Sequence, residues 1–284
     1  MPLPYPLNPL GISVREELPL TLTAVEASTV QLTATGSPTV AGLHYRLGTS
    51  GPWIAYTIGT EIPLAAGKKV QFWNSATRLG TSSSNYCKFV LEGTLAARGN
   101  ALSLINFSSN CYAWSFYGLF SGASSLISPP QIPASVLGES SCRGMFEATS
   151  ITEPPDITAA TLVYACCRGM FRNCAQMTKF PKFSASLVNG DVFYAMCEND
   201  TSLSSVDLSS FTDLRSSSFT GMLRNCSNVN QINVSFTSWT YNGNAATTAW
   251  VSGVAASGTF IKPSTLPEEY GVSRIPEGWT VINK

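Results

Sequence analysis

The sequence predicts a mixed β and α/β fold, in which an N-terminal immunoglobulin-like β-sandwich is followed by a leucine-rich-type solenoid and a C-terminal cap. The second half of the chain repeats one motif every 25 or 26 residues, a period typical of leucine-rich solenoids. The first half alternates apolar and polar residues in short segments between turn-forming residues, as the strands of a sandwich do. The predicted boundaries are residues 16–95 for the sandwich, 96–234 for about five repeats and 235–284 for the cap.

Each repeat is anchored on a leucine or methionine, usually after a glycine. The five anchors are Leu119, Met145, Met170, Met196 and Met222. The residues three positions before them are all apolar: Phe116, Cys142, Cys167, Phe193 and Phe219. One repeat cannot bury its apolar face alone, so these positions are predicted to form a core between stacked repeats.

Polar and strand-forming residues follow the anchors. Asn173, Asn199 and Asn225 stand three positions after the last three anchors. They predict a column of amides that bridges backbone groups of successive repeats where the chain bends. Residues 203–208 and 229–234 have the pattern L-x-x-L-x-L, which predicts a strand in each of these repeats.

The segment before each anchor has the spacing of an amphipathic helix. Leu162, Cys166 and Met170 lie four residues apart. Val163, Cys167 and Phe171 have the same spacing. Both rows would lie on one side of a helix of about three turns, facing the core.

The N-terminal region contains strand-like segments after a proline-rich start. Alternating residues predict strands at 20–25, 30–34 and 70–73, and a hairpin joins 44–47 to 53–56. Residues 1–15 are predicted to be an extended arm. Its apolar residues, Leu3, Tyr5, Leu7 and Leu10, leave two interpretations open: a loosely ordered terminus, or an anchor that docks on a partner such as another virion protein.

The repeats resemble a known family. Residues 167–174 and 219–229 resemble the M-F-x-N-C-x-x-L repeats of bacterial surface proteins with BspA-like leucine-rich repeats. Residues 258–262 and 275–281 resemble the closing segment of such proteins from gut bacteria and their phages, and the resemblance covers roughly residues 100–284. Ala123, Thr149 and Asp200 depart from the pattern, since they stand where the other repeats have Cys174 and Cys226. The resemblance implies adhesion or host-surface recognition and carries over no catalytic residues.

Composition narrows the possible partners. The formal net charge is zero and charged residues make up only 12% of the chain, with no basic run, so a nucleic-acid partner is not expected. No stretch of about 18 apolar residues occurs, so no membrane-spanning helix is predicted. The N-terminus lacks the basic and apolar regions of a secretory signal, which suggests either a signal removed upstream or export within a phage particle.

The eight cysteines are predicted to be reduced core residues. Cys142 and Cys167 would stand on neighbouring helices, too far apart for a disulfide. Cys166 and Cys167 are adjacent and are expected to point to different sides. No ligand pattern predicts a zinc site, so no metal or cofactor is expected.

The titratable residues do not predict an enzyme. His44 is the only histidine, so nucleophilic catalysis would depend on one strand residue. The acidic residues that a glycan-active hydrolase would need are scattered: Glu147, Glu153, Asp156 and Asp207. A hydrolase therefore remains only a distant alternative.

Aromatic residues outside the repeat core are the candidate ligand contacts. They are Tyr112, Trp114, Tyr117, Tyr164 and Tyr194. Aromatic faces beside Ser, Thr and Asn suit contacts with a host-surface protein or glycan. The expected function is a phage virion component, a fibre or capsid-decoration subunit at the virion surface. The sequence leaves open whether it forms a homo-oligomer. The alternative is an adhesin on a bacterial cell surface.

Overall fold

The computed structural model describes residues 19–38, 40, 42–186 and 188–284, and in these residues the fold is nearly all β. The prediction of a mixed β and α/β fold is therefore wrong. The described residues contain no α-helix, and the one helical element is a 3-10 helix at Ala101–Ile105. The proposed arm residues Leu3, Tyr5, Leu7 and Leu10 lie outside the described residues.

Two sheets of mainly antiparallel strands form the N-terminal region. Its strands are β1 (Leu20–Ala24), β2 (Ser28–Thr35), β3 (Leu43–Leu47), β4 (Ile54–Ala55), β5 (Glu61–Leu64), β6 (Lys69–Asn74), β7 (Tyr86–Glu92) and β8 (Leu95–Arg98). One sheet contains β8, β1, β6, β3 and β4 in that order, and the other contains β5, β2 and β7. Alternate side chains face inward, and the ring of Phe72 in β6 contacts that of Phe89 in β7 at 5.2 Å.

The rest of the chain winds in successive turns of a larger coil, which are joined by parallel pairing. We call each turn a coil and number the coils by their anchors, from Leu119 in the first to Met222 in the fifth. Its strands are β9 (Asn110–Cys111), β10 (Leu126–Ser128), β11 (Val136–Leu137), β12 (Thr161–Leu162), β13 (Ser205–Leu208), β14 (Gln231–Val234), β15 (Thr240–Tyr241), β16 (Asn244–Ala245), β17 (Thr259–Lys262) and β18 (Thr280–Asn283). Strands β9, β11 and β12 pair in parallel, as do β13, β14, β17 and β18. Strand β10 pairs with β8, so the first coil extends the larger N-terminal sheet.

The segments predicted to be helical are chains of turns. In each of these turn segments every fourth residue has a positive φ. The residues concerned are Trp114, Gly118 and Gly122; Ser140, Gly144 and Ala148; Ala165, Gly169 and Asn173; Asp191, Ala195 and Asn199; and Ser217, Gly221 and Asn225. A positive φ at the third residue of a turn suits glycine and asparagine, whereas a helix excludes it.

Backbone hydrogen bonds alternate along each turn segment. The N–H groups of Gly118 and Phe120 donate to carbonyl oxygens of the next coil, those of Arg143 and Met145, at 2.9 and 2.8 Å. The N–H of Leu119 instead donates within its own coil, to the Phe116 oxygen at 3.2 Å. This alternation leaves the apolar residues at intervals of three and four facing the core, which is also the pattern of an amphipathic helix.

The eight cysteines are buried, and none of them forms a disulfide. Burial raises the pKa of Cys87 and Cys111 to about 12, which keeps these thiols protonated at neutral pH. The expectation that Cys166 and Cys167 point to different sides is wrong: both are fully buried and their sulfur atoms lie 3.7 Å apart. In this turn segment the two adjacent side chains face the same core.

Candidate ligand-binding groove

A shallow groove crosses the turn segments of the first four coils. Its floor is the column of small residues directly before the anchors: Gly118, Gly144, Gly169 and Ala195. All four have positive φ values between 51° and 61°. Without larger side chains, this column leaves an open channel, which we name the glycine groove.

The groove is small and open. Its volume is about 200 Å³, which is below the roughly 300–1,000 Å³ of pockets that enclose a small molecule. The groove therefore suits an extended ligand lying along several coils better than an enclosed one.

One wall consists of the residues two positions before the anchors. In successive coils these are Tyr117, Arg143, Arg168 and Tyr194. The guanidinium carbon of Arg143 lies 5.8 Å from the ring centre of Tyr117, and that of Arg168 lies 4.0 Å from the ring centre of Tyr194. These cation–π contacts hold the two arginines side by side between two aromatic rings.

The opposite wall consists of the residues two positions after the anchors. Ser121, Glu147 and Arg172 line the groove, and Glu198 and Arg224 continue the column beyond it. Arg172 donates from Nε to Glu147 at 2.8 Å, and Arg224 bonds Glu198 at 2.9 Å. Each pair joins adjacent coils, so this wall is ordered before a ligand binds. Because the opposite charges are paired, the wall is also largely neutral.

Strand β7 closes the N-terminal end of the groove. The Tyr86 ring contacts that of Tyr117 edge-on at 4.9 Å. The amino group of Lys88 lies 3.5 Å from the position that a Cβ atom on Gly122 would occupy. The groove therefore begins in the N-terminal sheets and continues across the coils.

Two of the four cationic side chains in the groove have carboxylate partners. Arg168 pairs with Asp191 at 2.9 Å and Arg172 pairs with Glu147. Within the described part of the chain, Lys88 and Arg143 have no ion-pair partner. The groove is thus locally cationic in a protein with zero formal net charge.

The backbone of the floor is already hydrogen-bonded. The N–H groups of Gly118, Gly144 and Gly169 donate to carbonyl oxygens of the following coil, each at 2.9 Å. Their carbonyl oxygens accept from N–H groups three residues later, at 3.0 to 3.2 Å. These glycines therefore offer a ligand no free N–H donor, and donors to a ligand must come from side chains.

The structure divides the aromatic candidates between two locations. Tyr117 and Tyr194 line the groove, and Trp114 packs against Tyr117 at 5.2 Å. Tyr112 and Tyr164 are exposed and do not line it; Tyr112 lies under Arg78. The Tyr164 hydroxyl donates to Asp191 at 3.1 Å, and this hydrogen bond raises the pKa of Tyr164.

Sequence reasoning missed Tyr86, Lys88 and the arginines of the walls. Arg143, Arg168 and Arg172 could have been found by writing the repeats in register, because they occupy matched offsets from the anchors. Tyr86 and Lys88 carry no such signal, since β7 meets the first coil only through tertiary packing.

The candidate acids and the histidine each contact a different partner and do not form a common cluster. Glu147 pairs with Arg172 in the groove, whereas Glu153 pairs with Lys179 and Asp207 accepts from Asn233. His44 packs on Trp73, with Nδ1 2.8 Å from the Gly42 carbonyl oxygen. Across the described ranges, no group of three or more His, Cys, Asp or Glu residues is placed to hold a metal ion.

The three asparagines form a column, as predicted, but its bonds differ from those expected. Asn199 donates to the Asn173 side-chain oxygen at 2.7 Å, and Asn225 donates to that of Asn199 at 2.8 Å. The amides therefore bridge each other and not backbone groups.

Comparisons of the chain with protein-family models, with curated proteins and with solved structures found no match. In the part of the chain that the structure describes, no helix is both long and apolar enough to cross a bilayer.

Proposed function

We propose that this protein is a non-catalytic recognition protein that binds carbohydrate along the glycine groove. The observation that carries the proposal is the Tyr117–Arg143–Arg168–Tyr194 column beside a floor of glycines. Tyrosine faces can pack on the apolar faces of sugar rings, while arginine and glutamate hydrogen-bond to hydroxyl groups. Repetition at each coil would allow successive sugars to be bound by similar groups.

The setting that we propose is a virion surface, where the protein would be a fibre or capsid-decoration subunit. The resemblance of the repeats to BspA-like surface proteins of gut bacteria and their phages supports this setting. It equally supports the alternative, an adhesin on a bacterial cell surface that binds host matrix or glycans. Mass spectrometry of purified virus-like particles and of outer membranes from the native source distinguishes the two, because the protein should be enriched in only one of them.

Carbohydrate binding is tested with a glycan array and two groove variants. Tyr117→Ala and Tyr194→Ala should each weaken binding of any captured glycan by about tenfold, since each removes a stacking face. Tyr270→Ala is the matched control, because Tyr270 is exposed and lies outside the groove.

Thermal melting of each variant checks that the fold is retained. Undiminished glycan binding by both folded groove variants would show that the groove is not the binding site.

A further inference from the structure

We infer that the glycine groove selects anionic glycans, those carrying carboxylate or sulfate groups; this inference rests on the proposed function. Its basis is the pair Lys88 and Arg143, the two groove cations for which the described residues provide no ion-pair partner. Both side chains are half-buried in the groove. A partly desolvated cation without a carboxylate partner gains most from a ligand that brings a negative charge.

The two cations lie on opposite walls at the same end of the groove. Arg143 belongs to the wall of Tyr117, and its guanidinium lies over that ring. The Lys88 amino group lies beside Gly122, on the wall of Ser121. An anionic group above Gly118 would therefore face a cation from each side.

The same end of the groove offers aromatic surface. Tyr86 and Tyr117 meet edge-on, and a Cβ on Gly118 would contact the Tyr86 ring at 3.5 Å. Adjacent aromatic and cationic groups match a charged sugar, which has an apolar ring face and a peripheral acidic group.

The remaining arginines of the groove do not favour anions to the same degree. Arg168 and Arg172 are neutralised by Asp191 and Glu147. Their guanidinium groups retain donors for neutral hydroxyls. The charge preference is therefore confined to the end of the groove near β7.

The hydrogen bonding of the floor favours a glycan over an acidic peptide. One common way for an extended peptide to bind is to add a strand to free backbone groups. The N–H groups of Gly118, Gly144 and Gly169 already donate to the next coil. A peptide would gain none of these main-chain bonds, whereas a glycan does not need them.

The test measures binding of dextran, dextran sulfate, polygalacturonate and polyglutamate to the full-length protein at constant ionic strength. Dextran and dextran sulfate share a backbone and differ in charge, while polygalacturonate tests carboxylate in place of sulfate. The groove variant is Lys88→Ala/Arg143→Ala. The matched control is Lys68→Ala/Lys69→Ala, which removes the same charge from exposed positions outside the glycine groove.

We expect at least one anionic polysaccharide to bind at least tenfold more tightly than dextran. The groove variant should remove this preference, whereas the control variant should retain it. If dextran sulfate alone shows the preference, the selected group is sulfate; if polygalacturonate alone does, it is carboxylate. Tyr117→Ala should weaken binding of the preferred polysaccharide too.

Other outcomes overturn the inference separately from the proposed function. Equal binding of neutral and anionic glycans, still weakened by Tyr117→Ala, would keep carbohydrate recognition and reject the charge preference. Loss of the preference in the control variant would show non-specific attraction, and equally tight polyglutamate binding dependent on Lys88 and Arg143 would reject the glycan class. Failure of all glycans, on the array as well, would reject both proposals.

Discussion

At the scale of single residues, Asp200 is the most unusual group in the core. Its side chain is fully buried. One carboxyl oxygen accepts the N–H of Cys174 at 2.7 Å, and the other has no hydrogen-bond partner among the described residues. Burial raises the pKa of Asp200 well above its ordinary value, and the hydrogen bonds from the Cys174 N–H and the Cys197 thiol lower it only in part.

This shift predicts that stability depends on pH. The folded protein holds the Asp200 proton more tightly than the unfolded chain, whose carboxyl titrates near pH 4. The stability that this group contributes is therefore complete below about pH 4 and is lost as the pH rises through the folded pKa.

Asp200→Asn should remove that loss, because the amide oxygen can still accept from Cys174 and carries no charge. Relative to the wild type, the variant should therefore become more stable on going from pH 4 to pH 8. Urea unfolding at the two pH values measures this change, and Asp213→Asn, at an exposed position, is the control. A stability difference between the wild type and Asp200→Asn that stays constant with pH would contradict the assignment.

At the scale of elements, the turn segments show why the helix prediction failed. The buried residues Phe116, Leu119, Phe120 and Ala123 are spaced as on a helix face. A chain of turns with a positive φ at every fourth residue gives this same spacing, so periodicity alone could not separate the two structures.

The sequence did contain the distinguishing signal. Gly144 and Gly169 stand directly before two of the anchors. Asn173 follows Gly169 by four residues, and Asn199 follows Ala195, the matching position of the next repeat, by four residues. Glycine and asparagine are the residues that most readily adopt a positive φ, and glycine is unfavourable inside a helix. The strand segments were predictable because their alternation reflects one buried face, as in β13 and β14.

The candidate site was predictable only in part. Tyr117 and Tyr194 are recognisable as aromatic residues outside the apolar frame of the repeat. The role of Arg143 depends on its contact with Tyr117 of the preceding coil, and the repeat register predicts this neighbour. The contribution of Lys88 depends on packing between β7 and the first coil, which no local pattern encodes.

The asparagine column provides a test of the turn geometry. Asn199 has φ 68° and bonds to both Asn173 and Asn225. Asn199→Ala should destabilise the fold by about 1–2 kcal/mol, because alanine is strained at this φ and both amide bonds are lost. Asn199→Gly loses the same bonds without the strain, so it should cost less.

Chemical denaturation of the two Asn199 variants measures the difference. Equal losses would mean that the side-chain bonds and not the backbone conformation require asparagine here.

At the scale of the whole molecule, one core connects the N-terminal sheets to the coils. The rings of Phe89, Phe120, Phe146 and Phe171 are nearly parallel, with successive centres 5.1, 5.7 and 5.7 Å apart. Strand β8 pairs with β10, and the N–H of Phe89 donates to the Leu119 oxygen at 2.7 Å. All buried hydrophobic residues except Ala165 and Ala195 form one continuous cluster from Leu20 to Trp279.

This continuity predicts that both ends of the described chain unfold together. Arrays whose repeats contact only their neighbours can lose terminal repeats separately, but here the aromatic column and the shared sheet couple the first coil to β7 and β8. Phe120→Ala should therefore lower the free energy of unfolding by about 3–5 kcal/mol, for residues 20–98 and for residues 217–262 alike.

Hydrogen exchange with mass spectrometry, in increasing denaturant, follows the two segments separately in one sample. Coincident midpoints for the wild type, shifted equally by Phe120→Ala, would identify a single cooperative unit. Destabilisation of residues 20–98 alone would show instead that the interface at Phe89 and Phe120 transmits too little energy to couple the coils to the sheets. The groove, which crosses that interface from Lys88 to Tyr194, would then be assembled from two independently stable parts.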